Sequence, residues 1–219
     1  MTAVIIDSTK KPPSEPLAAA DLGGLPFGNH KYELIDGTLF VTSRGDEPLT
    51  AEDLDRLPDD GRRHELLGGV LVVSPAPNLP HQRVVGALYR RLYPACPGRM
   101  EVVLAPFDVI LPAGTVMEPD VVVARSEELT TKNLPGAPLL AIEVLSYSTR
   151  AIDLTMKNNL LAEASCPSYW TIDPEGPRLI ARELRDGEYV VTADLSGDEV
   201  FETAQPFPVS FRVSDLLDR

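Results

Sequence analysis

Four charged residues stand where charge is hardest to keep. Asp120 opens the run DVVVA, Glu143 lies inside LLAIEVL, Lys157 follows on a helical segment, and Glu65 sits in HELL. Runs rich in Val and Ile, bounded by Pro or Gly, read as buried strands. A carboxylate in such a strand costs several kcal/mol to bury unless a partner compensates it. Two such acids with a lysine nearby suit a shared divalent cation. Hard cations such as Mg²⁺ take oxygen ligands and keep several waters, so one or two protein carboxylates suffice. Asp120, Glu143 and the carbonyl of Val144 are the expected metal ligands for Mg²⁺ or Mn²⁺. A cation of that kind makes a bound water easier to deprotonate and stabilises charge growing on a phosphate. Lys157 is placed to orient that water or to neutralise that charge. Glu65 is the fourth candidate.

The positioning elements follow from pattern. If residues 125–138 join an antiparallel pair with Ala124 opposite Leu139, Asp120 falls opposite Glu143. Directly opposed side chains stand about 4.5–5.5 Å apart at Cβ. A slip of one residue would send Glu143 to the other face. Leu154, Leu161 and Ala164, with Lys157 between them, recur at helical spacing over residues 152–164, and Pro167 ends that helix. SYWTID, residues 168–173, reads as a further buried strand, so strand, helix and strand form a parallel crossover. Upstream, Val84, Val85, Leu88 and Leu92 predict a helix from His81 to Ala95 with one face on the sheet. EVVLAPFDVIL is a strand broken at Pro106, which suggests an edge or a bulge, and its Asp108 is a secondary carboxylate. A hairpin at Asp186–Gly187, a strand near Val209 and a short helix from Ser214 close the chain.

Each candidate also has an ordinary reading. Lys157 lies four residues after Asp153, so the two could form a plain helix ion pair. Asp120 could be a turn residue after Pro119. Glu65 could pair with the adjacent Arg62, Arg63 and His64. His81, at the start of its helix, reads as structural or surface-exposed, and Asp153 reads as an N-cap. Glu143, alone in an apolar strand, is hardest to explain without a partner.

Residues 1–24 are rich in Pro, Ala and Lys and read as a mobile tail. Residues 25–56 hold an extra hairpin. LPFGNHKYELIDGTLFVT, from Leu25, resembles LPDDGRRHELLGGVLVVS, from Leu57, at an offset of 32 residues. Each copy reads as strand, tight Gly turn and strand. Convergence of two hairpins and an internal duplication that adds strands to a sheet edge both fit. Between the copies, Thr50 caps a short acidic helix with Asp53 at the third position. Residues 57–219 form the main domain.

The chain has 219 residues and a net charge of −13. Such a charge disfavours broad non-specific binding to nucleic acid. A local basic surface remains: from Leu66 to Met100 there is no acid, and Arg83, Arg90 and Arg91 are the expected nucleic-acid contacts, an ordinary solvated helix face being the other reading. No apolar run reaches the ~18 residues of a membrane helix, and no secretory signal is evident. Cys96 and Cys166 follow no pairing or metal pattern, which suits a cytoplasmic protein. GxSxG, Walker, GxGxxG and HExxH motifs are missing.

In order, RRHELLGGVLVVSPAPNLPHQRVV, APFDVIL, EPDVVV and LLAIEVLSYSTRAIDLTMKNNLLAEASCPSYWTIDP resemble the Uma-type restriction endonuclease-like proteins of the PD-(D/E)xK phosphodiesterase superfamily. The resemblance spans Leu57 to Pro174 and continues weakly beyond. It implies an α/β (α+β) fold, a restriction endonuclease-like mixed β-sheet flanked by helices, here with the extra N-terminal β-hairpin. It also implies Mg²⁺-dependent cleavage of nucleic-acid phosphodiesters, DNA first, by an endonuclease that acts as a homodimer. Asp120 matches the PD acid and Glu143 the (D/E) position. The lysine position two after Glu143 is Leu145, and Lys157 matches the displaced lysine of this branch. Glu65 matches the acid of the YEL-type hairpin. Two rivals stand beside this reading: a non-catalytic binding or regulatory module of the same fold, and a metal-dependent hydrolase of a small phosphate substrate.

Overall fold

Two acid-bearing segments meet at the centre of the molecule, and two sheets are arranged around them. The computed structural model describes residues 14–18, 30–45, 47–57 and 60–217. Its strands in chain order are β1 (His30–Ile35), β2 (Thr38–Ser43), β3 (Arg63–Leu67), β4 (Val70–Ser74), β5 (Met100–Leu104), β6 (Asp108–Leu111), β7 (Thr115–Met117), β8 (Val121–Arg125), β9 (Asn133–Pro135), β10 (Leu140–Val144), β11 (Ser168–Asp173), β12 (Arg178–Arg185), β13 (Glu188–Ser196), β14 (Val200–Thr203) and β15 (Val209–Arg212). The helices are α1 (Ala51–Leu54), α2 (Leu79–Ala95) and α3, which joins Arg150–Ile152, a π-helical turn Asp153–Lys157 and Asn158–Glu163.

The expected mixed α/β fold is present, with its strands divided between sheets. One has six strands in the order β13-β12-β11-β10-β8-β5. The other has seven, in the order β1-β2-β4-β3-β7-β6-β9, and β14 and β15 form a separate ribbon. The chain crosses between the large sheets five times, and two of these passages bear on the site. One, between β5 and β6, contains Pro106, whose lack of an N–H ends pairing; β5 is accordingly an edge strand. The other, between β7 and β8, contains Glu118, Pro119 and Asp120.

β8 and β10 are antiparallel, with Val123 opposite Leu140 and Val121 opposite Ile142. That register continues to Asp120 opposite Glu143, as the sequence predicts. β10 and β11 are parallel, joined through α3. Both faces of this sheet are covered, so its strands are continuously apolar rather than alternating. Leu140, Ile142, Val144, Trp170 and Ile172 face a core shared with α2 and the β14–β15 ribbon. Ala141, Val122, Ala124 and Tyr169 face a second core with Leu67, Val72 and Met117 of the other sheet and Ile152 and Leu161 of α3. Side chains alternate along a strand, so Asp120 and Glu143 share the second face with Val122 and Ala141. The carboxylates therefore lie between the sheets.

The N-terminal hairpin pairs strand to strand with its counterpart. β2 lies antiparallel to β4, with Leu39 opposite Val73, Phe40 opposite Val72 and Val41 opposite Leu71. Since residues 39, 40 and 41 correspond to 71, 72 and 73 at the 32-residue offset, the copies meet about a local two-fold centred on Phe40 and Val72. Both turns have two residues at positive φ, Asp36–Gly37 and Gly68–Gly69. This geometry matches the twist of the flanking strands. α1 carries the expected capping box of Thr50 and Asp53. Most of the expected tail lies outside the described residues. Its residues 14–18 lie against the hairpin, where Leu17 is buried with Leu39, Val41, Leu71 and Val73, and its N–H donates to the Gly37 carbonyl at 3.1 Å. The first five residues of the extra copy, 25–29, also lie outside the described set.

Candidate active site

Asp120 is 2% exposed and fully engaged. Arg63 donates from Nη2 to Oδ1 at 2.7 Å. Oδ2 accepts the Val144 N–H at 2.8 Å and lies 3.0 Å from Nε2 of His81. Burial alone would raise the Asp120 carboxyl pKa. The charge of Arg63 and the contact with His81 overcome it and hold the carboxyl well below the ordinary carboxylate range.

Behind it lies a second cluster, centred on Lys157. This ammonium is 1% exposed and reaches Oε1 of Glu143 at 2.9 Å, Oε1 of Glu65 at 2.9 Å and Oδ1 of Asp153 at 3.5 Å. Glu65 also accepts the Glu118 N–H at 2.8 Å, and Asp153 accepts the Thr149 hydroxyl at 2.9 Å. Burial works against the charged lysine, but Glu143, Glu65 and Asp153 outweigh it and raise its pKa, so it stays charged. Burial, opposed by Lys157 and reinforced by Asp120 and Asp153, pushes Glu143 well above the usual range. Burial likewise raises Asp153 to about 6 and Glu118 to about 7.

α3 brings Asp153 and Lys157 inward through its π turn, a local widening that often marks functional sites. The Tyr169 hydroxyl donates to the Asp153 carbonyl at 2.8 Å and anchors that turn to β11. The Asp153–Lys157 contact is thus one edge of a four-residue cluster rather than a surface helix pair. Asp153 is not the N-cap, a position Thr149 takes. It is buried because Lys157 is.

The pocket in front of Asp120 has a volume of about 190 Å³. Arg63, His81, Asp120, Glu143 and Val144 line it, together with Ser146–Thr149 of the loop after β10. Pro16 and Asp36 contribute from the N-terminal segment and the first hairpin turn. The Thr38 hydroxyl donates to the Ser148 carbonyl at 3.0 Å, tying that hairpin to the loop. Lys157 and Glu65 are not among the lining residues; they hold Glu143 from behind.

Among the sequence candidates, Asp120, Glu143, Lys157 and Glu65 come together. For Glu65 and His81 the structure decides between the readings open in the sequence. Glu65 does not pair with its neighbours: Arg62 and His64 lie 3.9 and 3.5 Å from Asp60, and Arg63 reaches Asp120. His81 is structural rather than surface-exposed, buried against Asp120. The signal was available, since His81 lies on the inward stripe with Val84, Val85, Leu88 and Leu92. Of the basic residues, Arg91 is tied into the C-terminal segment, donating to the carbonyls of Asp215 at 3.0 Å and Ala87 at 3.1 Å. Arg83 and Arg90 are exposed. None of the three lines the pocket. Asp108 is half-buried and also outside it.

The donor set fits a hard divalent cation. Four carboxylates (Glu65, Asp120, Glu143 and Asp153) face two permanent cations, Arg63 and Lys157, with His81 alongside. Burial first, and then the charges of Asp120 and Asp153, push the Glu143 carboxyl up. Among the described residues no three acid, His or Cys side chains form a ready metal cage. Mg²⁺ does not need one.

The mixed α/β architecture, with Asp120 and Glu143 buried between its sheets, matches a putative nuclease fold. The chain belongs to the Uma2 family, described as "Putative restriction endonuclease", whose model matches residues 51–216. The first hairpin precedes that match. A solved structure from Anabaena variabilis ATCC 29413, described as a putative nuclease belonging to DUF820, superimposes with a TM-score of 0.61 at 17% identity, covering 78% of this chain and 98% of that one. No curated protein matches the chain. No helix among the described residues is long and apolar enough to cross a membrane.

Proposed function

We propose that this chain is a Mg²⁺- or Mn²⁺-dependent nuclease that hydrolyses phosphodiester bonds in nucleic acid, DNA being the expected substrate. The observation that carries the reading is the opposition of Asp120 and Glu143 across β8 and β10 at a pocket, with Lys157 2.9 Å from Glu143. Asp120, Glu143 and the Val144 carbonyl would hold the cation. When bound, it would activate a water and stabilise charge on the phosphate. The Val144 N–H and His81 fix the orientation of Asp120. Lys157 and Glu65 touch no pocket space, so they act through Glu143 as positioning residues. At the mouth the loop hydroxyls bond one another: Ser146 Oγ lies 2.9 Å from Thr149 Oγ1 and 3.2 Å from Ser148 Oγ, while Thr149 donates to Asp153. A homodimer meeting the two strands of a duplex belongs to the same proposal by analogy, and light scattering tests it.

The test is cleavage of supercoiled plasmid and of single- and double-stranded oligonucleotides with Mg²⁺, with Mn²⁺ and with chelator. Metal-dependent cleavage that Asp120→Asn and Glu143→Gln abolish supports the proposal. Both oxygens of Asp120 already have protein partners, which favours the non-catalytic module as a second reading. Lack of cleavage on every nucleic acid would move the assignment there. Hydrolysis confined to small phosphodiesters would instead favour the small-substrate enzyme.

A further inference from the structure

We infer that Arg63 competes with the divalent cation for Asp120 and, once released, binds a non-bridging oxygen of the substrate phosphate. The inference rests on the metal-site reading above and adds a residue that reading does not assign. The two oxygens of Asp120 are held differently. Oδ2 is held by a strand amide and a buried imidazole, both fixed in the fold. Oδ1 has one described partner, the Arg63 guanidinium. A cation can therefore take Oδ1 without disturbing the strand, provided that Arg63 yields.

Arg63 is suited to yield. It opens β3 at the pocket wall, and its side chain is 14% exposed against 2% for Asp120, so it is the outward member of the pair. A guanidinium has five N–H donors in a planar fork. Among the described residues the Arg63 guanidinium makes one hydrogen bond, from Nη2. The remaining donors belong to a group on the pocket lining, and such a fork matches phosphate better than a point charge does. His81 lacks this freedom, being buried, with Nδ1 unpartnered among the described residues. Release of Arg63 would also keep its charge beside the pocket, offsetting a phosphate that approaches an acid-rich site.

The test is Mn²⁺ affinity, followed by electron paramagnetic resonance without substrate, for wild type, Arg63→Met and Arg63→Lys. Because the cation no longer has to displace a guanidinium from Asp120, Mn²⁺ binding should tighten by about tenfold or more in Arg63→Met, a change of about 1.4 kcal/mol. Arg63→Lys keeps a charge on Asp120 and should remain near wild type, which also covers the case in which Arg63→Met fails to fold. In the Mn²⁺-loaded proteins, dimethyl phosphate binding should weaken in both variants, since neither retains the fork. Equal or weaker Mn²⁺ binding by folded Arg63→Met would overturn the competition while leaving the metal site standing. Unchanged dimethyl phosphate binding would overturn the phosphate role. If neither wild type nor any folded variant binds Mn²⁺, the metal-site reading fails and takes this inference with it.

Discussion

The two hairpins have related sequences and opposite fates. At the 32-residue offset Lys31 corresponds to Arg63 and Glu33 to Glu65. In β1 the lysine and glutamate bond each other at 2.9 Å, with side chains 56% and 49% exposed. In β3 the arginine and glutamate part company: Arg63 goes to Asp120, and Glu65 goes to Lys157. The local pattern of a basic and an acidic residue two apart on one strand face is the same. What differs is what covers that face. β1 is the edge of its sheet, while β3 lies between β4 and β7 and faces α3 and the six-stranded sheet. Solvent makes the first pair nearly neutral in energy. Burial makes each member of the second depend on a distant partner.

The largest effect that could break this comparison is at Lys157. Removing one partner of a buried ion cluster leaves uncompensated charge, so Lys157→Met should lower unfolding free energy by about 3–5 kcal/mol, read by urea denaturation. A loss under about 1 kcal/mol would show that the ammonium is solvated and the cluster open. Next is Glu65→Gln, which keeps an acceptor for the Glu118 N–H but removes the charge facing Lys157. A loss of about 1–3 kcal/mol is expected, against no more than about 0.5 kcal/mol for Glu33→Gln in the same denaturation series.

A smaller effect concerns pH. Burial raises Asp153 to about 6 from its usual 3.8. The folded state thus holds this proton more tightly than the unfolded chain does, and its stability contribution declines as pH rises through that window. Asp153→Asn removes the titration and can still accept the Thr149 hydroxyl. The stability of the variant relative to wild type should therefore rise between pH 4 and pH 6, measured as melting midpoints across that range. A flat difference would mean that Asp153 is not the buried acid described. The smallest effect is Lys31→Ala, expected within about 0.5 kcal/mol of wild type.

Much of the acid site was legible in the sequence. Asp120 and Glu143 stand in apolar runs that fix their strands, and the register between those strands follows from setting Ala124 opposite Leu139. The parallel crossover through α3 followed from the order strand, helix, strand. Other features depended on long-range neighbours. Arg63 sits two residues from Glu65, so a local pair was the natural reading, while its actual partner lies 57 residues along the chain. The division of strands between two sheets depends on five passages between them, two of which contain Pro106 and Pro119, and periodicity within a strand carries no information about which sheet it joins. The burial of Lys157 follows from a π turn, which has no sequence signature of its own here.

The central claim is that Asp120 and Glu143 form one cation site while Lys157 holds it from behind. The most direct measurement is the thermal midpoint with and without Mg²⁺, for wild type and for Asp120→Ala with Glu143→Ala. A ligand that binds only the folded state adds about 2.7 kcal/mol at roughly one hundred times its dissociation constant. The account predicts a raised midpoint in wild type and none in the double variant. No rise in wild type, or an equal rise in both, would contradict it.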